Sequence, residues 1–115
     1  MTERSELEKR IIRAENLGQD WVNKHEVWLQ LDEAKKSVLS DIVKDLDDGE
    51  QSEVKLERLA RASKQYREYI NNLSLAKGAE LRARVKYDCA MQWVDAGRTA
   101  EATARAKMQY LKEIP

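Results

Sequence analysis

Apolar residues recur every three or four positions along most of the chain, the spacing that places them on one face of an α-helix. The first stripe passes through Leu7, Ile11, Ala14, Trp21, Trp28, Leu31, Val38, Leu39, Ile42, Val43 and Leu46. Ser5 followed by Glu8 fits a capping box at its start, with Thr2 as the alternative cap. The pattern predicts a helix over residues 3–46. The stripe changes face between Val27 and Leu31, which leaves a kink open at that point.

A break in the pattern follows over residues 47–50, where Gly49 suits a left-handed helix C-cap. Ser52 is a suitable N-cap for a short helix, predicted over residues 52–62. Ser63 has the same role for the helix that follows it.

The last stripe predicts a long helix over residues 64–111. It passes through Tyr66, Tyr69, Ile70, Leu73, Ala76, Leu81, Ala83, Tyr87, Ala90, Met91, Trp93 and Val94. Gly97 leaves a break open within this helix, since glycine weakens a helix interior. The only proline of the chain is Pro115, so no proline interrupts either long segment.

Two long helices joined by a short one predict an all-α, single-domain antiparallel hairpin, with arms of roughly 65–70 Å at 1.5 Å per residue. A hairpin of 115 residues buries little apolar area by itself. We therefore expect two copies to pair into a dimeric, coiled-coil-like helical bundle. The residues expected to carry this self-association are Leu7, Ile11, Trp21, Trp28, Ile70, Leu73 and Trp93.

The formal net charge is zero, but the two halves of the chain differ. Residues 1–50 hold eight Lys and Arg against thirteen Asp and Glu, and residues 51–115 hold the reverse, so the halves carry −5 and +5. An acidic half and a basic half attract each other when the chain folds back on itself.

Two residues within the first stripe admit more than one interpretation. His25 lies one helical turn from both Trp21 and Trp28, where a histidine either responds to pH or serves as a hydrogen-bonded polar group of the seam. The second interpretation is the commoner one. Gly18 either weakens its helix or permits the close approach of another helix beside Trp21.

The sequence holds no pattern typical of catalysis or of cofactor binding. It has no glycine-rich phosphate loop, no HExxH and no GxSxG motif. One histidine and one cysteine, Cys89, do not supply the three or four ligands of a zinc site. No apolar stretch approaches the ~20 residues of a transmembrane helix, and the charged N-terminus lacks the apolar region of a signal peptide. We expect a non-enzymatic protein without metal, cofactor or membrane association.

A group of carboxylates spans the last turns of the first long helix and the break that follows it. It comprises Asp41, Asp45, Asp47, Asp48 and Glu50. Such a group is commonly no more than a solvated surface, but it can also stand in for nucleic-acid phosphates and engage the basic groove of an enzyme. The sequence therefore admits an inhibitor of a nucleic-acid-processing enzyme.

Direct nucleic-acid binding is the alternative function. The basic residues that would form the interface are Arg58, Arg61, Lys77, Arg82, Arg84 and Lys86. Tyr66, Tyr69 and Tyr87 flank them and are candidates for stacking on bases. Glu80 and Asp88 are expected to interrupt this basic face, and DNA-binding domains usually have a more basic overall balance.

Two stretches carry a resemblance to a known class of proteins. LEKRIIRAENLGQDWVNKHEVWLQLDEAKKSVLSDIV and YREYINNLSLAKGAELRARVKYDCAMQWVDAGRTAEATARAKM, residues 7–43 and 66–108, resemble small, functionally unassigned helical proteins of tailed bacteriophages. The resemblance implies a phage or prophage origin and expression in a bacterial cytoplasm, and it transfers no site residues. Phage proteins of this size commonly act as accessory factors that bind host or phage enzymes.

Overall fold

The computed structural model describes residues 3–114, which form three α-helices and no β-strand. The helices are α1, Glu6–Leu46; α2, Glu53–Ala62; and α3, Lys64–Glu113. The predicted all-α class and the long–short–long helix order are confirmed. Thr2, the alternative first cap, lies outside the described residues.

Serine side chains fix the start of each helix. The Ser5 hydroxyl accepts a hydrogen bond from the Glu8 backbone N–H at 3.1 Å, so α1 starts at Glu6. Ser52 accepts from Lys55 N–H at 3.3 Å at the start of α2. These bonds satisfy N–H groups that the first helical turn leaves without a partner.

Ser63 is the single residue between α2 and α3. Its hydroxyl donates to the Ala60 carbonyl at 2.6 Å and accepts from the Tyr66 N–H at 3.2 Å. One side chain therefore closes α2 and opens α3.

The turn between α1 and α2 depends on Gly49, whose φ of +83° is the left-handed conformation that glycine adopts without strain. Asp47 Oδ1 accepts from Gly49 N–H at 2.9 Å, and Asp48 Oδ1 accepts from Glu50 N–H at 3.0 Å. Two successive aspartate side chains thereby hold the turn.

Neither long helix is interrupted at the positions where the sequence admitted a kink or a break. α1 continues through residues 27–31, and α3 continues through Gly97. Gly97 is buried, and a Cβ atom there would lie 3.1 Å from Arg10 Nη1 and 3.2 Å from Leu7 Cδ1. The glycine makes room for α1 against α3, which is why it is accommodated inside a helix.

The chain divides into two compact units, and both long helices contribute to each. Met1–Val22 and Arg82–Pro115 form the first unit, in which Ala14, Ala90 and Val94 make a small buried core. Leu7, Ile11, Leu17 and Met91 pack around this core.

An aromatic pair extends the packing of the first unit. The rings of Trp21 and Tyr87 stack with centroids 6.0 Å apart. A Cβ at Gly18 would lie 3.3 Å from the Tyr87 ring, so this glycine permits the close approach that the sequence suggested. Leu7 lies near Gly97 and Gly18 near Tyr87, so α1 and α3 run antiparallel in this unit.

Asn23–Leu81 forms the second unit. Ile42 of α1, Ala60 of α2 and Tyr66 of α3 form its buried core, so all three helices meet there. The Tyr69 hydroxyl donates to the Leu31 carbonyl. α1 and α3 are antiparallel in this unit as well, because His25 contacts Glu80 while Leu31 contacts Tyr69.

Candidate interaction surfaces

A buried carboxylate in the second unit organises a polar cluster of four residues: His25, Trp28, Lys77 and Glu80. Glu80 is only 2% exposed. His25 Nδ1 lies 3.1 Å from Glu80 Oε1, and Lys77 Nζ lies 3.4 Å from Glu80 Oε2. Both oxygens of the buried carboxylate therefore face a nitrogen, which offsets the cost of removing the charge from water.

Trp28 covers this cluster. Lys77 Nζ lies 3.8 Å from the centroid of the Trp28 ring, and the His25 ring lies 5.6 Å from it. The ammonium group is thus placed between an aromatic face and a carboxylate. The interpretation of His25 as a partly buried, hydrogen-bonded seam residue is confirmed.

Glu80 corrects the sequence analysis, which placed it on a basic face exposed to solvent. It lies four residues after Ala76 and three before Ala83, a spacing that already put it on the apolar face of α3. That spacing was the available signal, and the charge of the residue obscured it.

All five residues of the acidic surface, Asp41, Asp45, Asp47, Asp48 and Glu50, are exposed and belong to the second unit. Asp47 and Asp48 also hold the turn at Gly49 through one oxygen each. Two of the five carboxylates therefore have a structural role in addition to any binding role.

The basic residues named above are distributed over both units. Arg58, Arg61 and Lys77 belong to the second unit, and Arg82, Arg84 and Lys86 to the first. All are exposed except Lys77, which is part of the polar cluster. 

Arg61 pairs with Glu57 on its own helix, Nη2 to Oε1 at 2.8 Å, and this hydrogen bond raises the pKa of the Arg61 guanidinium.

The three tyrosines proposed for base stacking have other contacts. Tyr66 is buried in the core of the second unit, and Tyr87 stacks on Trp21. Tyr69 donates to Leu31, and burial, followed by the charge of Asp32, raises its pKa. Burial makes the Tyr66 ring inaccessible to a base, which corrects the sequence analysis for this residue.

Much of the stripe predicted to drive self-association is used within the chain. Leu7 and Ile11 pack against the core of the first unit, and Ile70 packs against that of the second. Leu73 is half-buried.

The three tryptophans of that stripe differ in exposure. Trp21 and Trp28 are half-buried by the residues that contact them, as described above. Trp93 is 57% exposed, although Arg10 lies 4.3 Å above its ring and donates from Nη1 to its carbonyl at 3.0 Å. Trp93 borders a groove of the first unit with Leu17, Val85 and Cys89.

The end of α3 presents a further apolar surface, which the sequence analysis did not single out. Every residue from 98 to 114, here called the terminal segment, is exposed. Its larger apolar residues are 51–67% exposed: Met108, Tyr110, Leu111 and Ile114. The signal was present in the sequence as a continued helical spacing of apolar residues.

The described part of the chain contains neither a metal-binding group nor a membrane-spanning helix. No group of three or more His, Cys, Asp or Glu side chains there is arranged to hold a metal ion. Within residues 3–114 no helix has both the length and the apolar character needed to cross a membrane.

Comparison of the chain with models of known protein families, with curated proteins and with solved structures finds no match.

Proposed function

We propose that this protein is a non-catalytic bacteriophage or prophage accessory protein that acts in the bacterial cytoplasm through protein–protein contacts. It self-associates as a homodimer, and it inhibits, or serves as an adaptor of, a host or phage enzyme of nucleic-acid processing or defence. The phage origin rests on the resemblance of residues 7–43 and 66–108.

The observation that carries the self-association is the exposure of large apolar side chains near the end of α3. Met108, Tyr110 and Leu111 are 59%, 67% and 62% exposed. Fully burying such a side chain against a second copy contributes about 1.5–3 kcal/mol.

A second exposed apolar surface lies in the first unit. Val85 and Trp93 are each more than half exposed and line one groove. Contiguous exposed apolar patches often mark interaction sites. These residues support protein binding as the function.

The acidic surface supports an enzyme with a basic groove as the second partner. Five exposed carboxylates between residues 41 and 50 create a local negative potential of the kind that attracts a phosphate-binding site. The hydrogen bonds of Asp47 and Asp48 orient part of this surface before binding, which lowers the entropic cost of association.

Affinity capture from a bacterial lysate tests this second partner. We expect the full chain to retain a protein that excess duplex DNA displaces, because both would occupy one basic groove. The variant Asp41→Asn/Asp45→Asn/Glu50→Gln, which spares both turn-forming aspartates, should lose the captured protein. 

A matched control, Glu15→Gln/Glu26→Gln/Glu33→Gln, removes three other exposed carboxylates of α1 and should retain it. Capture that is insensitive to the acidic variant, or to DNA, would contradict the proposal.

The alternative, direct nucleic-acid binding, has less support because Tyr66, Tyr69 and Tyr87 are packed within the chain. Exposure of Arg82 and Lys86 is the observation that favours it. A duplex-DNA titration at two salt concentrations decides the matter. Salt-dependent binding that Arg82→Ala/Lys86→Ala weakens would support the alternative over the protein-binding function.

A further inference from the structure

The terminal segment of α3 offers a specific surface for the second copy. We propose that it packs antiparallel against the terminal segment of that copy. The second copy would cover the part of α3 that α1 of the same chain leaves uncovered. This inference rests on the proposed self-association and assigns it to residues 98–114.

The first argument is the continuity of the helix seam. Residues of α3 that face α1 in the first unit follow alternating steps of three and four: Tyr87, Ala90, Val94 and Gly97. The same steps continue to Glu101, Ala104, Met108 and Leu111. This is the 3.5-residue period of a coiled-coil seam.

The covering helix stops before the seam does. α1 begins at Glu6, and Leu7 already lies against Gly97. Met108 and Leu111 are left 59% and 62% exposed although they lie on the face that is buried earlier in α3. The terminal segment therefore presents a coiled-coil face that α1 does not cover.

The second argument is direction. α1 runs antiparallel to α3 in the first unit, and so would a second α3 that pairs antiparallel with the first. Such a helix continues the path of α1 along the same seam with the same polarity. Its length suits the place, since residues 98–113, the helical part of the terminal segment, span about 24 Å at 1.5 Å per residue.

The third argument is self-complementarity, which a two-fold contact requires. A register that sets Ala104 opposite Met108 of the second copy matches a small residue with a large one. The same register brings Glu101 level with Leu111 and Lys112 of the copy. The one carboxylate on the seam thereby lies near an ammonium group.

A parallel arrangement lacks this complementarity. It would set Glu101 against Glu101 of the second copy within the seam. This like-charge contact within the seam favours the antiparallel arrangement.

Light scattering coupled to size-exclusion chromatography tests the surface. The unmodified chain should have twice the monomer mass of 13.4 kDa at 50 μM. Met108→Glu/Leu111→Glu should raise the dimer dissociation constant by at least about 100-fold, since four large apolar side chains leave the interface. Ala102→Glu/Gln109→Glu adds the same charges to the opposite face and should remain dimeric.

The outcomes separate this inference from the proposed self-association. A monomeric unmodified chain overturns both. A dimer that persists in Met108→Glu/Leu111→Glu overturns the inference alone, as does a dimer lost equally in the control. Circular dichroism of each variant verifies that helix content is unchanged.

Disulfide cross-linking tests the orientation. In a Cys89→Ser background, a tagged Ala104→Cys chain mixed with an untagged Met108→Cys chain should form the mixed disulfide upon mild oxidation. Each variant alone should form little cross-linked dimer. Cross-linking of Ala104→Cys to itself, or the absence of a mixed product from a dimeric sample, would overturn the antiparallel register.

Discussion

Removal of the buried Glu80 carboxylate should destabilise the protein far more than removal of an exposed one. Glu80 is 2% exposed and faces His25 and Lys77, whereas the side chain of Glu57 is 53% exposed and pairs with Arg61. The substitutions compared are Glu80→Ala and Glu57→Gln. The comparison measures what burial adds to an ion pair.

The magnitude follows from the geometry. Unit charges 3.4 Å apart, as in Lys77 and Glu80, attract by about 5 kcal/mol at an effective dielectric constant of about 20. Solvent screens part of this, because the Lys77 side chain is 41% exposed, and desolvation of Glu80 offsets more. We expect Glu80→Ala to lower the free energy of unfolding by about 3 kcal/mol. Glu57→Gln should cost no more than about 0.5 kcal/mol.

Urea unfolding followed by circular dichroism at 222 nm provides the measurement, with all variants at one protein concentration because self-association stabilises the folded state. Glu80→Gln is a useful intermediate, since it keeps an acceptor for His25 and removes only the charge. A loss below 1 kcal/mol for Glu80→Ala, or equal losses for Glu80→Ala and Glu57→Gln, would refute the assignment of a stabilising buried cluster.

Three further predictions concern stability. Gly49→Ala should cost about 1 kcal/mol by urea unfolding, since alanine is strained at a φ of +83°; Gly49→Asn should cost less, and equal costs would contradict this reasoning. Val94→Ala should cost about 2 kcal/mol because Val94 is 1% exposed, whereas Val85→Ala, at a 61% exposed site, should change stability by under about 0.5 kcal/mol. Because burial raises the pKa of Tyr69 above 10.0, the folded chain keeps a proton that the unfolded chain loses, so stability should fall as pH rises above 10. Urea midpoints at pH 8, 10 and 11 should fall less for Tyr69→Phe than for the unmodified chain or Tyr110→Phe; equal slopes would contradict the assignment.

The helices could be predicted because their signals are local. Ser5, Ser52 and Ser63 each bond to an N–H three residues along the chain, so sequence spacing alone identifies them. Gly97 differs, since its role depends on where Leu7 and Arg10 of another helix lie. A glycine that ends a helix and a glycine that admits a neighbouring helix look alike in a single sequence.

The candidate surfaces were predicted less completely for a related reason. Charge suggested that Glu80 faces solvent, but its position in the seam determined its burial. The apolar stripe was recognised, yet periodicity does not indicate which part is covered within the chain and which part a second copy would cover. Ile11 and Met108 both belong to an apolar stripe with helical spacing. Ile11 packs against a core within the chain, whereas Met108 is exposed because α1 begins at Glu6 and does not cover it.

We infer that this helical chain self-associates, and sedimentation equilibrium over 1–100 μM is the decisive measurement of that self-association. The mass should approach twice 13.4 kDa as the concentration rises. A mass that stays at 13.4 kDa across the whole range would contradict it.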